Sequence, residues 1–130
     1  MLSTKQPSNS NHQESKLFDL EDRARSFAIR VRHFLQALPK TAGNHEYGRQ
    51  LIRSAGSIGA NYIEANEALG KKDFAHRNRI ARKEAKESKH WLLLLETQAI
   101  QTLDRERDFL VDEAQQFVKI FSAIINKSRV

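Results

Sequence analysis

The sequence predicts an all-α fold, an antiparallel up-and-down four-helix bundle. Three observations carry this expectation. Apolar residues recur at helical spacings of three, four and seven along most of the chain. With two Pro and five Gly in 130 residues, the closely spaced turn residues of an all-β sandwich are missing. Four amphipathic stretches are joined by short connections, which is the pattern of a bundle. The length suffices for one domain with a core, and 39% hydrophobic with 29% charged residues suits helices with broad solvated faces.

Residues 1–15 are polar, rich in Ser, Asn and Gln, and cannot bury enough surface to offset their ordering entropy. They are expected to form a disordered tail, with residues 16–130 as the bundle domain. The first helix is expected from about Ser15 to Leu38, with Leu17, Leu20, Ala24, Phe27, Val31, Phe34 and Leu38 as its apolar stripe. Pro39 ends it, because the residue before a proline is pushed out of helical geometry. Asn44 is the expected N-cap of a second helix, about His45 to Leu69, closed by Gly70 through a positive φ. The third is expected over about Lys72 to Gln101, roughly 45 Å long at 1.5 Å per residue. The fourth, about Asp104 to Asn126 with Asp104 as cap, carries Phe109, Leu110, Ala114, Phe117, Val118, Phe121, Ile124 and Ile125 on one broad face.

The second helix contains an anomaly, RSAGSIGANYIEANEA from Arg53 to Ala68. At 100° per residue, Leu51, Ala55, Ile58, Tyr62, Ala65 and Leu69 cluster within about 80° and form the core stripe. The opposite arc holds Arg53, Ser57, Asn61 and Glu64, with Ala60 and Ala68 beside them. A solvated face normally carries long charged side chains of good helix propensity. Short polar groups, alanines and the nearby Gly56 and Gly59 point instead to a second packed face, against another copy of the chain. The competing reading is a tolerant surface that has accumulated small residues.

The net charge is +6. Eight Lys or Arg and three acids between Lys71 and His90 supply +5 of it. Lys71, Lys72, Arg79, Arg82, Lys83, Lys86 and Lys89, with His90, fall within about 120° of the third helix and form a continuous basic stripe. Such a stripe can track the phosphates of RNA or DNA; the competing reading is a solvated face that confers solubility. No helix-turn-helix, zinc-finger or RNP pattern accompanies it, so binding would follow the nucleic-acid backbone.

Arg77 and Glu84 are placed on the core side of the third helix, beside Ile80, Ala81, Ser88, Trp91 and Leu95, with Glu87 at the border. Charges there need partners. An ion-pair network with Arg53 or Glu64, in the same or a neighbouring subunit, is the expected arrangement; an acid/base site is the competing one. Glu87 and His90 form a lone Glu-x-x-His, whereas di-iron bundles need two such pairs and two more Glu. With no Cys, no phosphate-binding Gly-rich loop and no Gly-x-Ser-x-Gly, the reading is of a non-enzymatic protein without metal or cofactor. The N-terminus lacks a signal peptide's apolar stretch and no run reaches a membrane span, so a cytoplasmic location and no membrane partner are expected.

QLIRSAGSIGANYIEA and KKDFAHRNRIARKEAKESKHWLLLLE together resemble the bacterial four-helix-bundle proteins encoded by intervening sequences within large-subunit ribosomal RNA genes. The superfamily includes the accessory protein of diversity-generating retroelements. The resemblance rests on Gln50-Leu51, Arg53-Ser54, Ser57-Ile58, Asn61 and Glu64. It continues through Asp73-Phe74, Ile80-Ala81, Lys83 to Glu87 and Trp91-Leu92. Ala65 departs from it where relatives often carry Gly. The resemblance implies a four-helix bundle assembled as a homopentameric ring with a central channel, and no established enzymatic activity. The expected function is a homo-oligomeric accessory protein binding RNA or single-stranded nucleic acid. The alternative is a protein-interaction scaffold whose partner is another protein.

Overall fold

Among the described residues the chain forms four α-helices: α1 (His12–Ala37), α2 (Ala42–Asn66), α3 (Lys71–Leu94) and α4 (Gln101–Lys127). The computed structural model describes residues 12–128, and the side chains of residues 20–128. Of the expected tail, residues 1–11 lie outside the described residues, and α1 begins at His12, ahead of Ser15. Each helix packs on its neighbour in sequence and α1 also packs on α4, while among the described residues the diagonal pairs meet only through side chains in the core. The α2–α3 seam is the most extensive of the four and the α1–α4 seam the least.

Cross-helix pairs come in opposed numerical order at every seam. Ala24 faces Gly59 and Leu35 faces Gly48 between α1 and α2. Ser54 meets Ser88 and Asn61 meets Arg77 between α2 and α3. Arg82 meets Ser122 and Lys89 meets Gln115 between α3 and α4. Arg23 meets Glu113 and Arg30 meets Glu106 between α1 and α4.

The core follows the periodic stripes. Leu20, Ala24, Phe27, Val31, Phe34 and Leu38 of the first segment are buried; Leu17 lies outside the described side chains. They meet Leu51, Ala55, Ile58 and Tyr62 from α2 and Leu110, Ala114, Phe117 and Phe121 from α4. Phe27 sits edge-on to Phe117, and Tyr62 packs on Phe121. Two expected core members are outside it. Leu69 is fully exposed, because α2 stops at Asn66. Phe109 is 44% exposed and lies under the guanidinium of Arg30 instead.

The helix ends correct four expectations. Thr41, not Asn44, caps α2: its hydroxyl accepts from the Asn44 backbone N–H at 3.1 Å. Asn44 is buried and ties two loops together. Its amide donates to the carbonyls of Pro39 and Glu96 and accepts from the Glu96 N–H. Gly70 does not close α2 by a positive φ; it is the extended residue that opens α3 (φ −154°). α3 ends at Leu94 rather than Gln101, where Leu95 turns extended (φ −74°, ψ 149°), and the loop that follows carries Gln98 and Ala99 in the left-handed region at φ 55° and 60°. Asp104 is not the cap of α4, which starts at Gln101; it accepts a hydrogen bond from the Thr97 hydroxyl.

Among the described residues no helix is long and apolar enough to cross a membrane.

Candidate functional site

The inward face of α3 is made of Asn78, Ala81, Ala85, Ser88 and Leu92. Small residues let α2 approach closely, and their polar atoms are largely met within the seam. The Ser88 hydroxyl bonds that of Ser54 at 2.8 Å, and the Asn78 amide donates to the Phe74 carbonyl. The Asn78 side-chain oxygen and the Tyr62 hydroxyl stay buried without a partner among the described residues. The core side of α3 is thus rotated away from the arc centred on Arg77 and Glu84, toward α4.

That rotation sorts the basic stripe. Lys71, Lys72, Arg79, Lys83 and Lys86 are exposed, and so is His90. Arg82 and Lys89 are half-buried on the α4 flank, where they donate to the Ser122 hydroxyl and the Gln115 side-chain carbonyl, both at 3.2 Å. These acceptors are neutral, so both cations keep their charge uncompensated. None of the seven lies within 4 Å of a carboxylate among the described residues.

The other flank of α3 meets α2. Arg77, Glu84 and Glu87 are half-buried there, beside half-buried Ser57 and Asn61 and exposed Arg53 and Glu64. The expected ion pairs do not form within one subunit: among the described residues, none of these five charged groups has an opposite charge within 4 Å. Arg77 reaches only the Asn61 carbonyl oxygen, at 3.5 Å, while the Asn61 amide donates to the Ser57 carbonyl. One Glu84 carboxylate oxygen is buried without a hydrogen-bond partner. Burial pushes this carboxyl above the ordinary carboxylate range and the Glu87 charge adds to the rise, while Lys83 and Arg53 offset part of it.

Beyond this flank the outer surface of α2 carries Ile52 (50% exposed) and Ile63 (40%), with Gly56 open to space between them. Sequence reasoning missed both isoleucines, although they lie about 20° apart on the helix, next to the Gly56 direction. It also missed Leu93 (58%) and Leu94 (41%), exposed in the last turn of α3. The spacing Lys86–Leu93, seven residues, was the available signal. Trp91 is a half-buried anchor as expected, stacked on Tyr47 with ring centroids 6.0 Å apart.

Two surface clefts of about 400 Å³ lie at the bundle's ends, one between Leu35 and Ile52, the other around Leu69, Phe74 and Lys127. Neither is lined by Glu64, Glu84 or Glu87. Among the described residues no group of three His, Asp or Glu is placed to hold a metal ion.

The profile of the 23S rRNA-intervening sequence proteins matches residues 17–123, which span all four helices. The chain belongs to that family. A similar solved structure fits the assignment. It is the 1.70 Å crystal structure of a protein with unknown function from the S23 ribosomal protein family of Bacteroides thetaiotaomicron. It is 28% identical, superimposes with a TM-score of 0.69, and the match covers 82% of this chain and 97% of that one. No curated protein matches.

Proposed function

We propose that this intervening-sequence protein is a non-enzymatic, homo-oligomeric accessory protein of the cytoplasm that binds RNA or single-stranded nucleic acid through the basic stripe of α3. One observation carries the reading: five exposed cations along one helix, flanked by two more held on neutral acceptors, with no carboxylate within 4 Å of them among the described residues. A row of uncompensated charge attracts a polyanion and releases its counterions on binding. The opposed order of cross-helix pairs supports an antiparallel bundle. The outer surface of α2, with Ile52, Gly56, Ala60 and Ile63, supports packing against a second copy, since exposed isoleucines next to bare backbone gain by being covered. A ring of five, the assembly implied by the family resemblance, would repeat the stripe and raise affinity through multivalency.

The test joins assembly to binding. Size-exclusion chromatography with light scattering gives the subunit number, and the ratio of absorbance at 260 and 280 nm reports carried nucleic acid. Labelled RNA is then titrated across a salt series. For single strands each neutralised phosphate contributes about −0.7 to the slope of log K against log salt. Arg79→Gln, Arg82→Gln and Lys86→Gln together should therefore reduce the slope by about 2. Absence of RNA binding at low salt overturns the reading. Recovery of a protein partner without nucleic acid from native cells favours the scaffold alternative.

A further inference from the structure

The basic stripe does not end in solvent-adapted residues. One turn past Lys86, on the same side of α3, comes His90, and a second turn brings Leu93 and Leu94, all exposed. Lys86 to His90 and His90 to Leu94 are steps of four, and Lys86 to Leu93 a step of seven, so cations and apolar groups share one continuous surface. The imidazole is steadied: it packs edge-on to Trp91 at 4.8 Å, and Trp91 stacks on Tyr47. Three rings thus run from α2 to the outer face of α3.

We propose that this last turn contacts unpaired bases of the strand whose phosphates lie along Lys72–Lys86. The ligand is then single-stranded nucleic acid, or the single-stranded flank of a duplex, in preference to a closed duplex. The proposal rests on the basic stripe being a nucleic-acid site. A duplex presents phosphates to such a helix and keeps its base faces stacked inside, leaving two leucines and an imidazole with nothing to cover them. A single strand presents both phosphates and π-faces, which pack on rings and apolar side chains with little sequence preference. Covering Leu93 and Leu94 with a base face removes apolar surface from water, a gain that a polyanion's phosphates cannot provide.

The experiment compares three labelled ligands on the full chain at one salt concentration: an unstructured RNA, a blunt duplex of equal length, and that duplex with a single-stranded overhang. Single strand and overhang should bind about tenfold more tightly than the blunt duplex, the scale of one stacked base. The His90→Ala, Leu93→Ser, Leu94→Ser variant should lose that preference and keep the salt slope. Circular dichroism and light scattering confirm that its fold and assembly are intact. Equal affinity of the wild-type chain for the three ligands, or a preference that survives in the variant, overturns this inference while leaving the stripe in place. Failure of all three ligands to bind at low salt overturns both.

Discussion

Arg30 holds the Glu106 carboxylate with two guanidinium nitrogens, at 2.6 and 3.0 Å, while its central carbon lies 3.7 Å from the ring centroid of Phe109. Seven residues earlier Arg23 repeats the arrangement with Glu113 and Phe117. The pairs are partly exposed, so each ion pair contributes at most about 1 kcal/mol, with a further 0.5–1 or so from the cation over the ring. We expect Arg30→Ala to cost about 1–2 kcal/mol and Arg30→Lys about half that, because lysine keeps the charge and loses the fork. Urea unfolding and a double-mutant cycle with Glu106→Gln measure this. Zero coupling energy would contradict it.

Asn44 is the bond between the two loops at its end of the bundle, using both donors and its acceptor. Removing it strands two carbonyls and the Glu96 N–H in a part-buried site. Asn44→Ala should destabilise by about 2–3 kcal/mol. Asn44→Asp should be worse, since a carboxylate would face the Pro39 and Glu96 carbonyls. Thermal unfolding tests the order, and a milder aspartate variant would refute the donor role.

Gly56 and Gly59 separate packing within the subunit from packing outside it. A Cβ on Gly59 would lie 3.3 Å from the Ala24 methyl, which the α1 backbone holds in place. A Cβ on Gly56 meets nothing within 4 Å. In the single chain, Gly56→Ala should stabilise by about 0.5–1 kcal/mol through helix propensity, and Gly59→Ala should gain less or lose. If a sister copy covers α2, Gly56→Ala should at the same time weaken assembly, seen by light scattering on dilution. Unchanged assembly would place the interface elsewhere.

Glu84 makes stability depend on pH. Its carboxyl is held above the ordinary value of 4.5 by burial and by Glu87, so ionising it opposes folding. That penalty is absent below the ordinary carboxylate range and grows as pH rises through the interval up to the raised value. In the single chain Glu84→Gln should leave stability unchanged below about pH 4 and increase it at pH 7. A variant equally stabilised at both pH values would refute the assignment.

Elements whose apolar residues are large were legible from the sequence. The α1 stripe from Leu20 to Leu38, the α4 stripe apart from Phe109, and the Leu51–Ala65 stripe of α2 lie where spacing puts them. α3 was misread because its inward face is Asn78, Ala81, Ala85 and Ser88, residues that carry little hydrophobic signal. The chain's larger apolar and charged groups then drew the expected core toward Arg77 and Glu84. Its end was hidden for a different reason. The chain leaves the helix at an extended Leu95 and then turns through left-handed Gln98 and Ala99, with no glycine, asparagine or proline at any of these positions to mark the stop. Of the candidate site, the identity of the cations was legible. Which of them are tethered to α4 depends on helix rotation, which composition does not encode.

Both ion pairs that join helices among the described residues lie on one seam, α1 to α4. The opposite seam, α2 to α3, is joined by serine hydroxyls, methyl groups and amides. Added electrolyte therefore acts unequally on the molecule: it slackens the attachment of α1 and spares the half that presents the cations. Hydrogen exchange at rising ionic strength should quicken in α1 first, leaving the α2–α3 pair as the last rigid unit.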